Sequence, residues 1–120
     1  MDEIISMIAE KVGIDTDTAQ TAIGIILNFL QKEGPDDDVS KLFEALPGAD
    51  ALAGAAGGGG GLMGMMGGAM GAVSQLNSTG LDMGQIQSLS SVLLSTAKEK
   101  AGEDVVDNII ENIPGLSQFM

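Results

Sequence analysis

The 120-residue sequence predicts a single all-α domain. Three observations lead to this fold class. The apolar residues are mostly Ala, Ile, Leu, Val and Met, whereas aromatic residues, which are frequent in strands, make up only 2% of the chain. Apolar side chains recur with the helical period of about 3.6 residues. Two long segments of the chain also align with each other without a gap.

The N-terminal segment MDEIISMIAEKVG (1–13) predicts an amphipathic helix. Its acidic residues and Lys11 do not fit a secretion signal, which needs a basic start and an unbroken apolar stretch. We therefore expect a cytoplasmic protein, with a signal removed ahead of residue 1 as the open alternative. The apolar side of this helix is expected to cover other helices with Ile4, Ile5, Met7, Ile8 and Val12.

An internal repeat organises most of the chain, because residues 13–48 align with residues 80–115 at a constant offset of 67. Each segment contains a helical stretch, a break and a second amphipathic stretch that ends at Pro-Gly. The repeat therefore predicts two related helical hairpins. Identical residues at matching positions include Gly13 and Gly80, Asp15 and Asp82, Leu27 and Leu94, Asp37 and Asp104, Val39 and Val106, Glu44 and Glu111, and Pro47-Gly48 and Pro114-Gly115.

The first helix of each hairpin starts with a capping signal. Asp15 and Asp82 stand at the N-cap position, where a short side-chain oxygen accepts a hydrogen bond from a free amide of the first turn. Gln85 follows Asp82 by three residues, as in a capping box. The first long helix is apolar on nearly all sides between Ile23 and Leu30, so we expect it to lie centrally. Its serine-rich counterpart in the second hairpin is expected to have a solvated face.

The breaks within the hairpins are predicted at Gly34-Pro35 and Ala101-Gly102. Acidic residues follow each break, including Asp36–Asp38, and the helix macrodipole favours them at a helix start. Each second helix then presents one apolar stripe. The stripes are formed by Val39, Leu42, Phe43 and Leu46 in the first hairpin and by Val106, Ile109, Ile110 and Ile113 in the second.

The Gly-rich centre of the chain predicts a flexible link over 54–61 and a conditional helix over 62–76. On a helical wheel, the glycines of the second range fall on one side and its Leu and Met residues on the other. Four glycines cost a helix about 4 kcal/mol relative to alanine, so packing must stabilise it. The candidate interaction face consists of Leu62, Met63, Met66, Met70 and Val73, together with Gly64, Gly68 and Gly71.

Three environments for this central helix stay open. Its Leu/Met face suits gaps between the two hairpins, because methionine adapts to irregular spaces. Its glycine face suits self-association through close helix packing. The uncharged stretch 51–76 is also long enough to enter a membrane, although no basic residue flanks it.

The net charge of −12 argues against several classes of partner. Phosphate backbones and anionic lipid surfaces repel such an acidic chain, so we expect no nucleic acid partner. The sequence also contains no His, Cys or Arg. Imidazole proton transfer, thiol chemistry, thiolate zinc sites and bidentate phosphate binding are therefore excluded.

The remaining polar motifs have simpler explanations than catalysis. Ser95 and Lys98 are expected to be surface helix residues rather than a catalytic Ser-Lys pair. Asp36–Asp38 lacks the alternating spacing and the glycine of a calcium loop, and a helix start explains it better. The glycines at 57–61 lack the lysine and the preceding strand of a phosphate-binding loop. We therefore predict no catalytic residue, no metal site and no cofactor.

The order of these segments is similar to that of a known family. An N-terminal amphipathic helix leads to a hairpin that ends in ALPGADAL (45–52), then to a Gly/Ala/Leu/Met-rich middle. A second hairpin closes with IPGL (113–116). This layout resembles the small bacterial proteins of unknown function labelled VcgC/VcgE. The resemblance implies a compact helical protein and brings no catalytic residues.

Together these observations predict a non-enzymatic interaction or structural module. We expect its partner to be another protein or a second copy of the chain, bound through apolar helix faces. The alternative is a membrane- or lipid-associated protein that uses the segment 51–76. An enzyme that works with carboxylates alone, such as Asp36–Asp38, is a third hypothesis.

Overall fold

The structure, a computed structural model, describes residues 2–58 and 74–113 of the chain. Every regular element within these two ranges is an α-helix, so the predicted all-α fold class is confirmed. The helices are α1 (Asp2–Val12), α2 (Thr16–Glu33), α3 (Asp36–Ala45), α4 (Ala49–Gly58), α5 (74–78), α6 (Met83–Ala101) and α7 (Glu103–Asn112).

Helix α2 lies at the centre of the helical bundle and contacts α1, α3, α4 and α6. Every residue from Ala22 to Leu27 is buried, and so are Phe29 and Leu30. A helix that is apolar all round needs neighbours on several sides, and α2 has them. The prediction that the first long helix lies centrally is confirmed.

One hydrophobic core joins the two hairpins. Helix α6 contacts α1, α2, α3 and α7, and α7 in turn contacts α3. The apolar stripes of the two second helices contribute buried side chains to this core, among them Leu42 and Leu46 from α3 and Val106 and Ile109 from α7. Burial of each large aliphatic side chain of this kind stabilises the fold by roughly 1.5–3 kcal/mol.

Two pairs of helices begin at equal separations along the chain. Helices α2 and α6 begin 67 residues apart, at Thr16 and Met83, and α3 and α7 begin at the same separation. Gly13 and Gly80 precede the first helix of each hairpin at matching positions, and both have positive φ angles, of 84° and 99°. This backbone conformation favours glycine at both positions.

The N-caps of α2 and α6 differ from each other. The Asp82 carboxylate accepts a hydrogen bond of 2.8 Å from the backbone amide of Gln85, and Gln85 Oε1 accepts one of 3.2 Å from the backbone amide of Asp82. This capping box confirms the prediction for α6. Asp15 also occupies the N-cap of α2, but its side chain makes no capping hydrogen bond. The prediction of a side-chain cap is wrong there. Thr18 stands where a Gln or Glu would supply the second bond of a capping box.

Gly34 allows the close connection between α2 and α3. A Cβ atom at this position would lie 2.7 Å from the Leu30 carbonyl oxygen and 2.8 Å from Val39 Cγ2. Both distances are shorter than van der Waals contact, so glycine is required because a larger side chain would not fit. The Gly34 amide donates a hydrogen bond of 2.7 Å to the Leu30 carbonyl and closes the last turn of α2.

Helix α4 corrects the prediction of a flexible link over 54–61. Residues 54–58 are helical and complete α4, whereas 59–61 lie outside the described residues. Helix α4 contacts α2, and the small side chains of Ala49 and Ala53 are fully buried, which allows the two helices to approach closely. Asn28 Nδ2 donates a hydrogen bond of 3.0 Å to the Ala53 carbonyl. Packing therefore stabilises a helix that composition alone does not predict.

The conditional helix predicted over 62–76 lies mostly outside the described residues. Its last residues, 74–76, belong to α5, and Leu76 is buried in the common core. Of the helices in residues 2–58 and 74–113, none combines the length and the apolar character that crossing a bilayer requires.

Candidate functional site

The predicted interaction face of the central segment lies outside the described part of the chain. This set comprises Leu62, Met63, Gly64, Met66, Gly68, Met70, Gly71 and Val73. The candidate site that the structure does describe is a groove on the first hairpin.

This groove, here called the α3 groove, lies where the end of α2, one face of α3 and the start of α4 meet. It has a volume of about 500 Å³ and is open to solvent. The volume is within the range of ligand pockets, but an open groove suits the side chains of a protein surface better than an enclosed small molecule. Its lining consists of Gln31, Asp36, Val39, Ser40, Phe43, Glu44, Pro47, Gly48 and Asp50.

The apolar lining of the α3 groove consists of Val39, Phe43 and Pro47. Val39 is buried, Phe43 is only partly buried and Pro47 is exposed. Val39 and Phe43 belong to the apolar stripe of α3, whose other two members, Leu42 and Leu46, are almost completely buried. The stripe is thus wider than the contact that α3 makes with the core, and its Phe43 edge stays accessible.

Three carboxylates, Asp36, Glu44 and Asp50, form what we call the carboxylate rim of the groove. They belong to the first turn of α3, to its last turn and to the first turn of α4, and all three residues are exposed. Asp50 Oδ1 accepts a hydrogen bond of 2.9 Å from the amide of Ala51, which orients this carboxylate. The residues that line the groove include no lysine, so the local electrostatic potential favours a cation.

The second hairpin carries different side chains at two matching positions. Lys98 and Asp107 stand 67 residues after Gln31 and Ser40 of the groove. Lys98 Nζ lies 3.6 Å from Asp107 Oδ1, so an ion pair links α6 to α7. The first hairpin has the neutral side chains of Gln31 and Ser40 at these places, and both line the α3 groove.

A smaller groove of about 330 Å³ adjoins the α3 groove at Pro47, which lines both. Asp2 and Glu3 extend the negative surface toward the start of α1, and Lys100 adds one positive charge beside them. The remaining lining residues are Ile4 and Ala45.

The polar motifs that the sequence singled out lie apart from one another. Asp36–Asp38 forms the first turn of α3, as a helix start predicts. Within residues 2–58 and 74–113, no three carboxylates come close enough together to hold a metal ion. Ser95 is exposed on α6, and Lys98 pairs with Asp107 instead.

Sequence reasoning missed the α3 groove because it assigned the whole apolar stripe of α3 to the core. A usable signal was present in the helical spacing. Asp36, Ser40, Phe43 and Glu44 follow one another at intervals of four, three and one residues and so share one face of α3. An aromatic residue among polar neighbours on one helix face indicates an accessible edge rather than core.

The chain matches one protein family over residues 1–92, and this family is described as "Protein of unknown function VcgC/VcgE". The matched range contains all residues of the α3 groove and ends within α6. No curated protein and no solved structure matches the chain.

Proposed function

Because the chain belongs to the VcgC/VcgE family of proteins of unknown function, its role must be inferred from its own residues, and we propose that it is a non-enzymatic module that binds another protein through the α3 groove. The observation that carries this proposal is the accessible edge of Phe43 in a groove on a packed helix. Helix α3 is held by contacts with α2, α6 and α7. An aromatic side chain presented by a rigid scaffold is a typical anchor of a protein interface.

The residue types support the non-enzymatic part of the proposal. The chain has no imidazole and no thiol, so carboxylates, hydroxyls and lysine amines are the remaining reactive groups. A carboxylate enzyme would have to use residues such as Asp36–Asp38, whose position in the first turn of α3 already has a structural explanation.

Charge favours another protein over a second copy of this chain. The sequence has 17 acidic residues and 5 basic ones. A symmetric contact through the α3 groove would bring two carboxylate rims together, and like charges at an interface destabilise it.

The alternative function, lipid association through the uncharged segment 51–76, competes with contacts that the fold already makes. Residues 51–58 belong to α4, where Ala53 is buried and its carbonyl accepts the hydrogen bond from Asn28. Insertion of the whole segment would have to break these contacts. Flotation with neutral liposomes separates the two functions, because a lipid-associated protein floats with the vesicles and a protein-binding module stays behind.

We further propose that the two hairpins are copies of one ancestral unit. The equal offsets of the helix starts and the matching glycines support this proposal. So does burial, because ten pairs of residues 67 positions apart are buried in both hairpins. These pairs are Ala19/Ile86, Ala22/Leu89, Ile23/Ser90, Ile26/Leu93, Leu27/Leu94, Phe29/Thr96, Leu30/Ala97, Val39/Val106, Leu42/Ile109 and Leu46/Ile113.

Site-specific photo-crosslinking tests the proposed function in the cells that produce the chain. A benzophenone amino acid replaces Ser40, which is exposed in the groove, and in a matched control it replaces Gln20, which is exposed near the other end of the bundle. We expect a covalent adduct with one defined protein from position 40 and none from position 20. Mass spectrometry of the adduct identifies the partner, and its purified form should bind the purified chain.

Two outcomes would overturn the proposal. Identical crosslinking patterns from positions 40 and 20 would mean that the groove has no special role. An adduct between two copies of this chain at position 40 would replace the proposal with self-association.

A further inference from the structure

We infer that the occupant of the α3 groove is a basic amphipathic helix of another protein, with lysine or arginine side chains bordering an apolar face. This inference rests on the proposed function and adds the chemistry of the partner.

The charge of the α3 groove favours a basic partner. Asp36, Glu44 and Asp50 approach the groove from different turns of two helices, and the groove lining contains no basic side chain. Lys41 is exposed on α3, but it follows Ser40 by one residue and therefore points about 100° away around the helix. The carboxylate rim thus lacks a cation among the residues that line the groove.

The two hairpins differ in how a lysine is placed between their helices. In the second hairpin, Lys98 supplies the cation from within the chain and pairs with Asp107 between α6 and α7. In the first hairpin the matching positions hold Gln31 and Ser40, so the chain itself supplies neither charge. The carboxylates that line the α3 groove are therefore not paired by a lysine at the position that corresponds to Lys98.

The apolar lining of the groove indicates that the partner helix also presents apolar side chains. Phe43, Val39 and Pro47 can receive apolar side chains that repeat every three or four residues along a partner helix. Lysine and arginine residues beside such an apolar face would then reach the carboxylate rim, because their long aliphatic stems can lie along apolar surface.

The same features exclude other classes of occupant. Nucleic acids and anionic lipid surfaces would bring further negative charge to the rim. A second copy of this chain has a net charge of −12 and would do the same.

Fluorescence anisotropy with a synthetic probe tests this inference on the purified full chain. The probe is a labelled Leu/Lys peptide of about 14 residues, or four helical turns, with leucines on one face and lysines on both flanks. A control peptide has the same composition in a shuffled order that disperses the leucines around the helix. We expect the amphipathic peptide to bind at least about tenfold more tightly than the shuffled one.

Two triple variants separate the carboxylate rim from the general acidity of the chain. The groove variant is Asp36→Asn/Glu44→Gln/Asp50→Asn. The control variant removes three exposed carboxylates near the other end of α2 and is Glu10→Gln/Asp15→Asn/Asp17→Asn. Both variants lose the same charge. We expect the groove variant to weaken peptide binding by about tenfold and the control variant by less than about twofold.

A charge-neutral variant tests the comparison between the hairpins. Gln31→Lys/Ser40→Asp places the ion pair of the second hairpin into the first and leaves the net charge of −12 unchanged. We expect this variant to weaken peptide binding, because the new lysine occupies the place of the partner's cation. Circular dichroism and the urea midpoint verify that each variant is folded.

Equal binding of the two peptides would overturn the inference, and so would equal weakening by the two triple variants. Either result would mean that the chain attracts cations without a specific groove. These failures are distinct from a failure of the proposed function. If position 40 crosslinks to a partner in cells while the basic peptide does not bind, the groove binds a protein of another chemistry.

Discussion

The side-chain amide of Asn28 donates a hydrogen bond of 3.0 Å to the backbone carbonyl of Ala53, and it thereby joins the central helix to α4. This bond is partly buried and links residues 25 positions apart. We predict that Asn28→Ala lowers the free energy of unfolding by about 1–2 kcal/mol, because the bond is lost and a gap replaces the side chain. Urea unfolding followed by circular dichroism measures this change.

Asn112→Ala is the matched control for that experiment. The side-chain amide of Asn112 also donates a hydrogen bond to a backbone carbonyl, that of Asn108. This bond lies within one helix and is exposed at the surface. We expect a change of less than about 0.5 kcal/mol. Equal losses at the two positions would show that the link between α2 and α4 contributes nothing specific.

Gly34 provides a test of the tight connection between α2 and α3. Gly34→Ala would place a Cβ atom 2.7 Å from the Leu30 carbonyl oxygen and 2.8 Å from Val39 Cγ2. We predict a destabilisation of roughly 1–3 kcal/mol, because backbone and core side chains must move apart. Thermal unfolding of the purified variant measures it.

Gly54→Ala should increase the stability of the fold, whereas Gly34→Ala should reduce it. Gly54 lies inside α4, and a Cβ atom there would contact nothing within 4 Å. Alanine should therefore stabilise the helix by up to about 1 kcal/mol. A loss of stability at this position would contradict the assignment of residues 54–58 to α4.

The two hairpins offer a matched pair of N-caps. Asp82→Ala removes one acceptor of the capping box and should cost about 1 kcal/mol. Asp15→Ala should cost clearly less, because Asp15 makes no side-chain capping bond in α2. Guanidinium unfolding of the two variants side by side gives the comparison, and a larger loss for Asp15→Ala would contradict the observed cap geometry.

The helix starts and the core could be predicted from the sequence because local signals determine them. The capping box at Asp82, the breaks after α2 and α6 and the apolar stripes of α3 and α7 each depend on residues close together in the chain. The central position of α2 followed from its apolar residues on all sides. In these cases the residues that determine each structural feature lie close to it in the chain.

Helix α4 and the α3 groove could not be predicted in the same way, because they depend on contacts between distant segments. Residues 49–58 form a short helix that contains three glycines, so it is marginal in isolation although its alanines favour a helix. Packing on α2 and the bond from Asn28 stabilise it. The groove likewise exists because α4 starts beside α3 and leaves Phe43 at the edge of the core. Periodicity marks an apolar stripe but gives no measure of how much of it is covered.

Substitutions of two adjacent residues of α3, Leu42 and Phe43, should affect stability and partner binding differently. Leu42 is 1% exposed, whereas Phe43 is only partly buried and lines the groove. We predict that Leu42→Ala lowers the free energy of unfolding by about 2–5 kcal/mol. Phe43→Ala should cost less stability and weaken partner binding more. Unfolding curves and peptide anisotropy on both variants check the prediction, and a Phe43→Ala variant that binds as tightly as the native chain would contradict it.

Mapping of the bound peptide by NMR shows whether the chain recognises a partner in the α3 groove. Amide shifts of the ¹⁵N-labelled full chain are followed while the unlabelled amphipathic Leu/Lys peptide is added. We expect the shifts to concentrate at Gln31, along α3 and at the first turn of α4, with few changes around Glu10 and Asp17. Shifts spread evenly over the acidic surface, or concentrated at the far end of α2, would contradict it.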